Sequence, residues 1–202
     1  MGAGILPTTI YNGKLYFLFA KENRYADTPG YSDFGGGNDD DETFRQTAIR
    51  EAQEEMCGFI DERDIKKMMN RGSFNIEFNG YKMFMVYMPY NPYLPYFYNN
   101  NHALIERKLD PETIQNSKIF EKSYIKWMSV RDMIKNKNKF RSYFKNIVNK
   151  IYSEHDNIFK FMKRISGNKD FRTRHRTYKT YKSHKMNKRS SGTRKIKIKL
   201  DF

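Results

Sequence analysis

The chain has very little cysteine: one, Cys57, in 202 residues. A single thiol closes no internal disulfide and builds no thiolate zinc cage, so a reducing, intracellular (cytoplasmic) setting is expected. No apolar run approaches the ~20 residues that a membrane-spanning helix needs. The opening MGAGILPTTIY has no charged segment ahead of an apolar one, so no signal peptide is expected. Leu6 stands where a myristoylation signal wants Ser or Thr. Alanine is scarce and no internal repeat is visible. Acidic residues are also in deficit, 23 against 38 Lys and Arg, for a net charge of +15.

That deficit is local. From Lys163 onward there are 15 Lys and Arg against two Asp, which leaves the first 162 residues near +2. Body and tail therefore need separate explanations. The body is long enough to bury a core, and an α/β fold is expected. Gly4–Ile10 and Lys14–Ala20 read as strands joined by Asn12-Gly13. Glu22–Ser32 reads as a loop. Asp39, Asp40 and Asp41 are candidate caps for a helix from about Glu42 to Cys57, stopped by Gly58. Strands are expected at Phe74–Phe78 and Lys82–Met88 around Asn79-Gly80, and again at Lys122–Met128. Pro89, Pro92 and Pro95 argue against helix in the MPYNPYLPYFYNNN segment. Asp110–Ser117 reads as a short helix, and Ser129 with Asp132 as a capping box. Phe140, Tyr143, Phe144, Ile147, Val148 and Ile151 trace one helical face, followed after His155-Asp156 by Ile158, Phe159, Met162 and Ile165. The expected organisation is a domain over 1–135, a helical extension packed on it over 136–166, and a basic tail with little order of its own over 167–202. The closing KIKIKL could add to a sheet edge.

The helix after Gly35-Gly36-Gly37 carries the chemistry. On a wheel, Phe44, Ala48, Ile49, Ala52 and Met56 share one apolar face, while Glu51, Glu54 and Glu55 share a separate arc. Crowded carboxylates repel, and without a partner their pKa values rise. A hard divalent cation relieves this, and Mg²⁺ or Mn²⁺ prefers oxygen ligands with water positions left open. Such an ion neutralises a diphosphate and acidifies a bound water, whose proton a nearby glutamate can take. Arg50 can orient the cluster. A plainly solvated, Glu-rich helix is the bland alternative.

The segment from Gly36 resembles the signature of the Nudix hydrolases, G-x5-E-x7-R-E-U-x-E-E-x-G-U. Gly36 is followed by five residues and Glu42, then by seven and Arg50-Glu51-Ala52-Gln53-Glu54-Glu55. Two positions depart: Ala52 is small for an aliphatic site, and Cys57 stands where glycine is wanted, with Gly58 one place late. A helix lengthened beyond the acids is the expected consequence. Weaker similarity spans residues 2–135. The resemblance implies an α/β/α sandwich with a mixed sheet and hydrolysis of a nucleoside diphosphate linked to some group X. It implies that Glu51, Glu54 and Glu55, with the Gly36 carbonyl, ligate one to three Mg²⁺ or Mn²⁺ ions. Arg50 would orient a glutamate, and Glu42 would bind metal through water or brace the loop. The base varies in the family: a glutamate of the motif, or a distal acid for which Glu121 is the first candidate and Glu106 and Glu77 compete.

The tail stretch RTRHRTYKTYKSHKMNKR combines Arg172, Arg174, Arg176 and Lys179 with Tyr178 and Tyr181. Cations neutralise phosphates and tyrosines stack on bases, so nucleic-acid contact is expected there. A solubilising tail, a nuclear-import signal or an address for an anionic surface would use the same composition. Tyr93 and Tyr96 could stack a base or cap at the site's mouth, or simply pack over a sheet edge. Three functions stay open at this point: a pyrophosphohydrolase acting on the 5′ end of RNA (decapping), one acting on small molecules (nucleoside diphosphate derivatives, dinucleoside polyphosphates or diphosphoinositol phosphates), and a non-catalytic RNA-binding protein. The three glutamates speak against the last, since a protein that only binds RNA gains nothing from acids that repel it.

Overall fold

The structure, a computed structural model, describes residues 1–117 and 120–167. Strands β1 (Gly2–Tyr11) and β2 (Lys14–Glu22) form a hairpin, with Asn12 and Gly13 both at positive φ, 49° and 72°. That is the backbone a two-residue hairpin turn demands. Strands β3 (Tyr31–Ser32) and β4 (Phe34–Gly37) follow, then helices α1 (Phe44–Glu55) and α2 (Glu62–Asn70). A second hairpin, β5 (Ser73–Phe78) and β6 (Tyr81–Tyr87), turns at Asn79-Gly80 in the same way. Helices α3 (Tyr93–Lys108) and α4 (Pro111–Ser117), strand β7 (Lys122–Ser129), α5 (Val130–Lys135), α6 (Phe144–Ser153) and α7 (His155–Ser166) complete the order.

The seven strands make one mixed sheet, in the order β3-β2-β1-β6-β5, with β4 beside β1 and β7 beside β2. β1 and β6 run parallel; the other pairs are antiparallel. Alternation along the strands feeds two apolar layers. Ala3, Ile5, Leu18, Ala20, Phe84 and Val86 face Ala48, Ile49 and Ala52 of α1, with α2 and Tyr98 of α3 in the same layer. Leu6, Phe17, Phe19, Met83 and Met85 face Phe144, Ile147, Val148 and Ile151 of α6, with Ile158 and Met162 of α7. The α/β/α arrangement is thus present, and α6 and α7 close its second side. Among the described residues no helix is long and apolar enough to cross a membrane.

Several expectations need correction. The Tyr-Pro segment does enter a helix: α3 starts at Tyr93, with Asn91 Oδ1 accepting from the Tyr93 and Leu94 amides at 2.9 and 3.3 Å. Pro95 falls in the first turn, where a missing N–H costs nothing, and Pro89 and Pro92 stay outside. Helix α1 begins later than expected, because Thr43 rather than an aspartate caps it, in a reciprocal box with Gln46. It also ends no later for want of glycine at 57: Cys57 itself takes positive φ, 49°, ahead of Gly58 at 77°. Helix α2 was unforeseen. Phe140 precedes α6, in the loop after a short 3-10 turn. The basic tail, KIKIKL included, lies outside the described residues.

Candidate active site

Strand β4 runs antiparallel to the start of β1, with Gly36 opposite Ala3, and delivers the chain into the turn before α1. The buried face of α1 (Ala48, Ile49, Ala52) seats the helix on the sheet. Glu51 is thereby pressed against Gly36: a Cβ there would lie 2.5 Å from Glu51 Oε1 and 2.7 Å from Oε2. Any side chain at 36 would displace the carboxylate, so the glycine is a cradle for it. The Gly36 carbonyl itself lies against Gly2 on β1.

Arg50 is the hub. Its Nε and Nη2 donate to the two oxygens of Glu42 at 2.9 and 3.0 Å, a two-point fork. Nη1 donates to Glu51 Oε1 at 2.9 Å and to Glu54 Oε2 at 3.4 Å, and Nη2 also donates to the Gly37 carbonyl at 3.0 Å. Asp39 approaches Nε at 3.4 Å. The Arg50 bond, with help from Thr47, holds the Glu42 carboxyl down to about 2. Glu51 goes the other way: burial raises its pKa, against the pull of Arg50, and the charges of Glu54 and Glu121 add to the rise. Glu54 is 59% exposed. Glu51, Glu54, Arg50 and Glu121 all line one cleft of ≈ 1060 Å³, together with Gly35, Gly36, Gly37 and Asn38.

Glu55 stands apart from its two neighbours. Its Oε2 accepts from the Gly35 amide at 2.9 Å, and its Oε1 lies 3.1 Å from the ammonium of Lys122. Lys122, the first residue of β7, also donates to Glu22 and, at 3.1 Å, to Ser32 Oγ. Arg141 reaches the same Glu22 at 2.7 Å and Thr28 at 2.6 Å. Burial works against the charge on Lys122, but Glu55 and Glu22 outweigh it and its pKa stands above the ordinary value. Nearby, the fully buried Asp33 accepts from the Tyr81 hydroxyl, 3.0 Å from each oxygen, and burial pushes its carboxyl up to about 7.

The expected site residues therefore divide. Gly36, Glu42, Arg50, Glu51, Glu54 and Glu121 are brought together. Glu77 pairs with Lys82 on the β5–β6 hairpin at 2.6 Å, and Glu106 with Arg24 at 3.6 Å. Tyr93 and Tyr96 are exposed on α3 and are not among the residues lining the cleft. Arg172, Arg174, Arg176, Tyr178 and Lys179 lie outside the described residues. Glu22, Asp33, Lys122 and Arg141 were not foreseen. Glu22 and Lys122 meet only because β2 pairs with β7, and no local spacing announces that.

Among the described residues no group of three or more His, Cys, Asp and Glu forms a ready-made metal cage. Glu51 and Glu54 nonetheless fit a hard divalent ion: both are oxygen donors at the cleft, and they share a single cation, Arg50. Asn38, also at the cleft, has its side-chain oxygen buried with no donor. Glu55 also borders the cleft but is nearly buried, and each of its oxygens already has a donor, the Gly35 amide and Lys122, so an ion there would compete with a resident ammonium.

No family model and no curated protein matches the chain. Solved structures do. It is similar to an Ap4A hydrolase of C. elegans in a binary complex, at 18% identity over 77% of this chain and 97% of that one, TM-score 0.45. It is similar also to RenU, a Nudix hydrolase of M. smegmatis, at 13% over 78% and 86%, TM-score 0.45. A MutT protein from Methanosarcina mazei gives 17% over 76% and 93%, TM-score 0.41. A likeness of this degree transfers no residue role to this chain.

Proposed function

We propose that the chain is a divalent-metal-dependent pyrophosphohydrolase of the Nudix type, with the 5′ end of RNA as its substrate. The observation that carries the chemistry is the cleft in which Glu51, cradled by Gly36, and Glu54 are oriented by one arginine. Glu51 and Glu54 would hold Mg²⁺ or Mn²⁺. When bound, the ion supplies charge neutralisation to the diphosphate. Arg50, tied to Glu42, fixes both carboxylates before substrate arrives, which lowers the cost of ordering them. Water attacks one phosphorus, the bridging P–O bond breaks, and a carboxylate takes the water's proton. Glu121, which also lines the cleft, is the candidate acceptor.

RNA as the substrate class is supported by the cationic run that begins at Lys163. A second reading, a small nucleotide or diphosphoinositol phosphate, is supported by a cleft lined wholly by residues 22–141. The full chain with Mg²⁺ is to be offered capped RNA, free nucleotides and diphosphoinositol phosphates in parallel. Release of a capped nucleotide from RNA, lost in Glu54→Gln, is the expected result. Turnover of the small compounds with capped RNA untouched would end the RNA assignment, and no turnover of any would end the enzymatic one.

A further inference from the structure

The buried end of the acidic helix holds a cation of its own. Lys122 is 0% exposed, and its ammonium sits among Glu22, Glu55 and Ser32. The surroundings fix it from several sides. The Tyr98 hydroxyl lies 2.8 Å from the backbone carbonyls of both Glu55 and Lys122, tying α1 to β7 at this point. Arg141 holds the far carboxylate, Glu22. Two acids face two bases here, so the cluster is balanced without any added ion.

We propose that Lys122 is a resident cation of the active site: it occupies Glu55 as a metal otherwise would, and so confines the divalent ion to Glu51 and Glu54. Lys122 is then a positioning residue. It keeps Glu55 at the Gly35 amide, and β4 is held at the helix as a result. This rests on the metal reading above and deepens it by setting which glutamates are ligands.

Mn²⁺ binding to the full-length protein, followed by electron paramagnetic resonance and calorimetry, separates the two ideas without measuring turnover. Glu51→Gln is expected to weaken Mn²⁺ about tenfold or more, and Glu55→Gln to leave it within about threefold of wild type. Lys122→Gln, which releases Glu55, is expected to tighten Mn²⁺ about tenfold or to add a second equivalent, and Lys122→Gln/Glu55→Gln to cancel that gain. A Glu55→Gln loss as large as that of Glu51→Gln overturns the role of Lys122 while leaving the metal site standing. So does unchanged Mn²⁺ binding in folded Lys122→Gln. Mn²⁺ binding insensitive to Glu51→Gln overturns the metal site and this inference together. If Lys122→Gln does not fold, the comparison of Glu51→Gln with Glu55→Gln decides alone.

Discussion

Two carboxylate clusters lie within one helix turn of each other, and they are neutralised differently. Asp39, Glu51 and Glu54, which line the cleft, and the neighbouring Glu42 share one arginine that is 27% exposed. Glu22 and Glu55 also border the cleft but are nearly buried: Lys122 pairs with both and Arg141 with Glu22, the Lys122 and Glu55 side chains being 1% and 4% exposed. A buried charge must be matched because water cannot screen it, whereas a cleft tolerates an excess until a counter-ion arrives. The balanced cluster is therefore a structural joint, and the unbalanced one is where chemistry can occur.

That contrast breaks if the roles exchange on mutation. The largest effect is expected from Glu54→Gln: hydrolysis falls by roughly 10²-fold or more, because a ligand of the ion that neutralises the diphosphate is lost. Its exposed side chain should leave the thermal midpoint in place. A marked drop in midpoint with activity retained would make the cleft cluster a stabilising one instead. Lys122→Met should do the reverse. Stranding the buried Glu55 carboxylate, while Glu22 keeps Arg141, destabilises by about 3–5 kcal/mol, visible as a lower urea midpoint at constant slope.

Asp33 sharpens the comparison through pH. Burial holds its carboxyl at about 7 against 3.8 for an ordinary Asp, so between those values the folded chain binds the proton more tightly than the unfolded one. Its contribution is full below about pH 4, declines as pH rises, and is gone above about pH 7. Relative to Asp33→Asn, the wild type should lose roughly 2–3 kcal/mol between pH 5 and pH 8, read from urea midpoints at the two values. A difference that does not move with pH would mean that Asp33 ionises normally inside the sheet, the pull of Lys122 and of the Tyr81 hydroxyl towards the carboxylate having outweighed its burial.

What the sequence reveals of this site follows the range of the interactions. Glu51 and Glu54 are one turn apart or less, and Arg50 adjoins them, so helix periodicity alone groups them. The Asn-Gly turns announce both hairpins for the same local reason. Glu55 also falls on the acidic arc of the wheel, yet it is buried, because its partner lies on β7, 67 residues further along. Glu22 and Lys122 are 100 residues apart and are joined by strand register, which no spacing rule reaches. Helix α2 escapes notice because only Ile65, Met68 and Met69 are buried in a nine-residue stretch of mostly charged side chains. The prolines mislead about α3 because a first-turn proline and an interior proline look alike until the cap at Asn91 is located.

The smallest effect is expected where an aromatic residue is most conspicuous. Tyr93 and Tyr96 are 68% and 62% exposed, and neither lines the cleft. Replacing either by Ala should shift stability by no more than about 0.5 kcal/mol, as for other open surface positions. Turnover of a free nucleotide should stay unchanged, since nothing that touches the cleft is altered. With an RNA substrate the outcome discriminates. Stacking of a base on either ring would contribute about 1–3 kcal/mol, and its loss would raise KM for capped RNA while sparing kcat. An unchanged KM would place the RNA path elsewhere and leave α3 as a cover over β7, to which Asn99 ties it through the Ile125 amide at 2.8 Å.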